Sequence, residues 1–105
     1  MREIERTTQF RRDYKRETKG RHRATLDVIV SEVLHALVID APLATRYRDH
    51  ALVGDWSGYR DCHVRPDLVL IYEKPDDDTL RLIRIGSQCP SERLSSHLSR
   101  LHQGA

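Results

Sequence analysis

Six histidines stand in this chain of 105 residues: His22, His35, His50, His63, His97 and His102. Histidine is the side chain whose ordinary pKa lies nearest neutrality, so each is a candidate acid or base. His22 and His35 fall on helical segments, where a surface or half-buried position explains them. His97 and His102 fall in a polar tail. His50 and His63 lie beside other polar groups in a stretch of loops and short strands, where a sheet edge can present a side chain to a cleft. Pro66 supplies the fixed φ that a turn favours, so Arg65-Pro66-Asp67 is expected to bend the chain and bring His63 and Asp67 onto neighbouring strands. A carboxylate beside an imidazole orients it and raises its pKa, which prepares it for proton transfer. A surface turn with an incidental ion pair accounts for the same residues, and taken alone they favour that plainer reading.

Metal chemistry is not expected, and no cofactor is implied. Cys62 and His63 are adjacent, but successive strand residues point to opposite faces, so they do not bind one ion together. Cys62 and Cys89 fit no CxxC spacing and read as reduced bystanders rather than a staple. Trp56 and Tyr59 can stack on an exposed base, as aromatic side chains do in single-stranded RNA recognition, and are equally suited to packing. With 18 Lys and Arg against 16 Asp and Glu, net charge says little about partners, but its distribution says more. Residues 1–23 carry nine basic side chains against four acidic ones, a net of +5. That end is either a surface facing phosphates or an acidic partner, or a solvated helix face.

The elements that must position these residues follow from local pattern. Thr7-Thr8 offers a helix N-cap and Gly20 a stop, which predicts a short basic first helix. Residues 2–6 alternate too briefly to settle their state. Leu26, Ile29, Val30, Val33, Leu34, Leu37 and Val38 recur at the i, i+3, i+4, i+7 spacing of one apolar helical stripe, ended by Asp40-Ala41-Pro42. A polar loop from Thr45 to His50 leads into short runs separated by turn residues. Leu68-Val69-Leu70-Ile71-Tyr72 has the unbroken apolar character of a central strand covered on both faces, and Leu80 to Ile85 forms a second run, paired with it as an antiparallel hairpin. The expectation is an α+β fold in one domain over residues 1–105, with two N-terminal helices packed on a small antiparallel sheet. Pro90-Ser91-Glu92 followed by Leu94, Leu98 and Leu101 allows a weak C-terminal helix, or a frayed tail. No apolar run approaches the roughly 20 residues that cross a bilayer, and Met1 to Arg6 lacks the apolar stretch of a secretory signal, so a cytoplasmic location without membrane contact is expected.

The block His50-Ala51-Leu52-Val53-Gly54-Asp55-Trp56-Ser57-Gly58-Tyr59-Arg60-Asp61-Cys62-His63-Val64-Arg65-Pro66-Asp67, followed by the apolar strand ending in Ile71-Tyr72, resembles the core of YafQ-type toxins in the RelE/ParE superfamily. With Leu80 to Ser87 the resemblance spans most of residues 45–87. It implies helices on a small antiparallel sheet and a toxin that cleaves mRNA in the ribosomal A site without a metal, by attack of a ribose 2′-OH on the adjacent phosphate. It also implies a cognate antitoxin, with operator DNA bound only through the antitoxin complex. By resemblance His50, His63 and Asp67 match catalytic positions, with His50 the general base and His63 and Asp67 a coupled pair on the phosphate. Arg60, Arg65 and Arg84 are candidate phosphate contacts and Trp56 a candidate substrate contact. The superfamily's other branch poisons DNA gyrase, and the histidine-rich block argues against it.

One position departs from the family pattern. Family members typically close the last strand with Gly-Ser/Thr-His, whose histidine is the expected general acid, and here that place is taken by Gln88. A glutamine amide donates a hydrogen bond but no proton, and loss of a general acid costs on the order of 10²–10⁴ in rate. Residues 88–105 also differ from the family's short aromatic ending. The alternative is therefore a catalytically impaired homologue that binds antitoxin and represses its own operon.

Overall fold

The structure is a computed structural model, and it describes residues 1–87. The strand β1 (Glu3–Arg6) is followed by the helices α1 (Thr8–Glu17) and α2 (Leu26–Val38), the short strand β2 (His50–Ala51), and the strands β3 (Arg60–Arg65), β4 (Leu68–Asp76) and β5 (Thr79–Ser87). The sheet order is β1-β5-β4-β3-β2. Both helices form where the capping and apolar signals place them. Thr7 Oγ1 accepts from the Phe10 amide and opens α1, which stops at Glu17, with the Gly20 amide donating to the Glu17 carbonyl. All seven apolar positions of the α2 stripe are buried.

That stripe covers one face of the sheet, in a core with Phe10, Cys62, Val64, Leu68, Leu70, Tyr72, Leu80, Leu82 and Ile85. Val69 and Ile71 alternate with the core residues of β4 and are buried on its other face, so β4 is a central strand covered on both sides. The β4–β5 hairpin and the α+β class agree with the sequence. The sheet is antiparallel as expected except at β1, whose state the sequence left open and which runs parallel to β5, with Glu3 opposite Thr79 and Arg6 opposite Leu82. A parallel neighbour needs a crossover, and here α1, α2 and the rest of the sheet supply it. The weak C-terminal helix lies outside the described residues. Among the described residues no helix is long and apolar enough to cross a membrane.

Candidate active site

Strand β3 carries three of the candidate residues, Arg60, His63 and Arg65. Cys62 points into the core, so its neighbours Asp61 and His63 point to the opposite face of the sheet. His50 is the cross-strand partner of Asp61. Its Nδ1 lies 3.1 Å from Asp61 Oδ1 and 2.8 Å from the Arg48 carbonyl oxygen. Nδ1 facing the Arg48 carbonyl acts as the donor, with the Asp61 carboxylate beside it, and in the neutral imidazole that tautomer leaves the lone pair on Nε2. The Asp61 side chain is 1% exposed while that of His50 is 54% exposed, so a buried carboxylate backs an accessible imidazole. Arg48 holds its carbonyl there from a left-handed conformation, φ +49°. For a residue with a Cβ that costs about 1–2 kcal/mol, strain of the sort that concentrates at functional sites.

The approach to His50 is pinned on its other side. Asp49 Oδ1 accepts from the Tyr72 hydroxyl and from Arg60 Nε at 3.3 Å. Burial, and then the Asp49 carboxylate, push the Tyr72 phenol up, so it stays protonated and donating. Arg60 thus anchors the chain entering β2, and with 41% of its side chain exposed it still faces solvent. Burial likewise pushes the Cys62 thiol up, which suits an inert core residue.

At the far end of β3 the expected His63–Asp67 pair is not formed. A β-bulge falls between His63 and Arg65, and among the described residues His63 has no hydrogen-bond or ion-pair partner. Asp67 turns instead to the segment linking α1 and α2: His22 Nε2 lies 2.8 Å from Oδ1, and Arg21 donates to Oδ2 at 2.9 Å. Burial works against the charge of Asp67, but these hydrogen bonds outweigh it and hold the carboxyl below its ordinary range. Arg65 NH2 lies 3.4 Å from Thr25 Oγ1 on the same segment.

Two expected substrate contacts are committed elsewhere. Arg84 forms a two-pronged ion pair with Asp13, Nε to Oδ2 at 2.7 Å and NH2 to Oδ1 at 3.1 Å, and Asp13 is fully buried. Its fork is occupied by the fold rather than offered to a phosphate. Trp56 is 5% exposed and meets Tyr59 edge-on at 5.4 Å, which makes it a packing residue rather than a platform for a base. Gln88 lies outside the described residues. No group of three or more His, Cys, Asp or Glu is placed to hold a metal among the described residues.

The family model for the bacterial YafQ toxin of type II toxin-antitoxin systems matches residues 2–89. The chain belongs to the YafQ toxin family. It is 49% identical to a YafQ toxin of Haemophilus influenzae over 55 residues, half of this chain and 54% of that protein. It is 43% identical to the mRNA interferase toxin YafQ of Escherichia coli over 89 residues, 83% of this chain and 91% of that one. In three dimensions it is similar to the toxin of the E. coli DinJ-YafQ toxin-antitoxin complex, with a TM-score of 0.69 at 38% identity, covering 82% of this chain and 91% of that one.

For this YafQ-family chain, sequence reasoning missed two partners of the block's residues, Asp61 beside His50 and His22 on Asp67. Asp61 had a legible signal, since it precedes His63 by two on a strand and must share its face. His22 had none: it lies 45 residues from Asp67, and no local periodicity joins them.

Proposed function

We propose that this toxin is an mRNA endoribonuclease whose general base is His50, and that it acts on ribosome-bound message and is neutralised by a cognate antitoxin. The observation that carries the reading is the placement of His50 Nδ1 against the Arg48 carbonyl and the buried Asp61 carboxylate. The Arg48 carbonyl takes the Nδ1 proton, the Asp61 carboxylate lies 3.1 Å from the same nitrogen, and Nε2 is left with the lone pair. Such a base takes the proton of a ribose 2′-OH as its oxygen attacks the neighbouring phosphate, and the imidazolium that forms is stabilised by the buried carboxylate behind it. We read His63, on the same face two residues along, and Arg65 of the same strand as the phosphate contacts, whereas Arg60 falls on the Cys62 face by alternation and is held by Asp49. The E. coli relative's name, an mRNA interferase, and its solution in complex with an antitoxin support the substrate class and the partner.

Expression of the unmodified chain without antitoxin should arrest translation and leave cleaved message, and His50→Ala should relieve the arrest. Normal growth on expressing the unmodified chain would count against the nuclease. Gln88 favours a second reading, a toxin homologue that binds antitoxin and represses its operon without cutting RNA. Antitoxin affinity retained with no cleavage of ribosome-bound message would select it.

A further inference from the structure

Asp67 holds an imidazole, but the imidazole is His22. The side chain of His22 is 15% exposed, and its Nε2 is engaged by a carboxylate that is itself kept ionised by His22 and Arg21. Its Nδ1 has no partner among the described residues. The last residue of β5, Ser87, pairs with Leu68, the residue after Asp67, so the strand that should deliver the family's acid histidine ends beside this carboxylate. Arg21, from the same segment, shares Asp67 with the imidazole, and Arg65 of β3 is bonded to Thr25, three residues along that segment.

We propose that His22 is the general acid of this chain, taking over the proton donation that Gln88 cannot perform. The inference rests on the nuclease reading above and assigns its second proton transfer. Imidazolium His22 donates Nε2–H to Asp67 and presents Nδ1–H to the scissile phosphate. The 2′-OH gives its proton to His50 Nε2 as the 2′-oxygen bonds to phosphorus. The bond from phosphorus to the 5′-oxygen breaks, its electron pair stays on that oxygen, and the oxygen takes the Nδ1 proton. The products are a 2′,3′-cyclic phosphate and a 5′-hydroxyl, and His22 is left neutral, still donating to Asp67. Exchange with solvent returns the proton to His22 and removes the one on His50.

The test is single-turnover cleavage of ribosome-bound message across pH by the unmodified chain, His22→Gln, Gln88→His and the double variant, with thermal melts of each. Gln at position 22 keeps a hydrogen bond to Asp67 and loses the titrating proton. His22→Gln should fall on the order of 10²–10⁴ in rate and lose the alkaline limb of the profile, because a general acid must be protonated to act. Gln88→His should restore rate and limb in the double variant. An unchanged rate in His22→Gln overturns the proposal, as does a slowed variant that keeps its alkaline limb. An unmodified chain that is silent while Gln88→His cuts would overturn it too and leave the nuclease reading standing. Silence of both would sink the nuclease reading itself.

Discussion

His50 Nδ1 donates to the Arg48 carbonyl with the Asp61 carboxylate 3.1 Å away, and removing that charge should show in the chemistry more than in the fold. Asp61→Asn keeps the size of a buried side chain but removes the negative charge beside Nδ1, so the imidazolium formed on taking up the 2′-OH proton loses its stabilising counter-charge. Ribosome-bound message should be cut on the order of 10²–10⁴ more slowly, the scale of general base catalysis, with the thermal midpoint little changed. An unchanged cleavage rate would remove Asp61 from the mechanism. At this scale the sequence was partly legible. His50, His63 and Asp67 stood out because a compact block of loop and strand residues holds them. Their partners did not, because a side chain's partner depends on which distant segment the fold brings alongside: Arg48 and Asp61 for His50, and His22 for Asp67.

Between elements, α1 is tied to β5 through Asp13. This buried carboxylate accepts from Arg84 twice, from the Ile85 amide at 3.2 Å and from Gln9 Nε2 at 3.1 Å, with Arg16 NH2 3.3 Å away. A carboxylate taken out of water is tolerated only while such partners remain. Arg84→Ala should destabilise the protein by about 3 kcal/mol, near the low end for breaking a buried pair because the other partners stay. Urea unfolding checks this, and a loss below about 0.5 kcal/mol would mean the pair is dispensable. The helices and the β4–β5 hairpin were legible from periodicity, since apolar spacing at 3.6 or 2 residues is a local property. The parallel docking of β1 was not, because residues 3–6 carry little pattern and their partners come from the other end of the described chain.

Across the whole molecule, Asp40 joins three parts of the chain. It follows α2 at φ +57° and receives Lys74 Nζ of β4 at 2.7 Å and Arg2 Nε, just before β1, at 2.9 Å. The hydrogen bonds from Lys74 and then Arg2 lower its pKa from 3.8 to about 2. A carboxyl depressed in the folded state adds stability that is present above its unfolded value and is lost as pH falls through the folded one. The window therefore runs from about 3.8 down to about 2. Asp40→Asn should flatten the pH dependence of the urea midpoint across that window, and an identical slope in both proteins would show that the junction contributes nothing.

By itself the sequence determined the α2 stripe, the central β4 strand and the block that carries His50, His63 and Asp67, because periodicity and turn chemistry act over a few residues. Tertiary structure alone decided that β1 joins β5 in parallel, that Arg84 belongs to Asp13 and that Asp67 takes His22. Each of these joins residues more than 40 positions apart. The choice between such partners depends on burial and charge compensation in the folded chain, which no local pattern encodes.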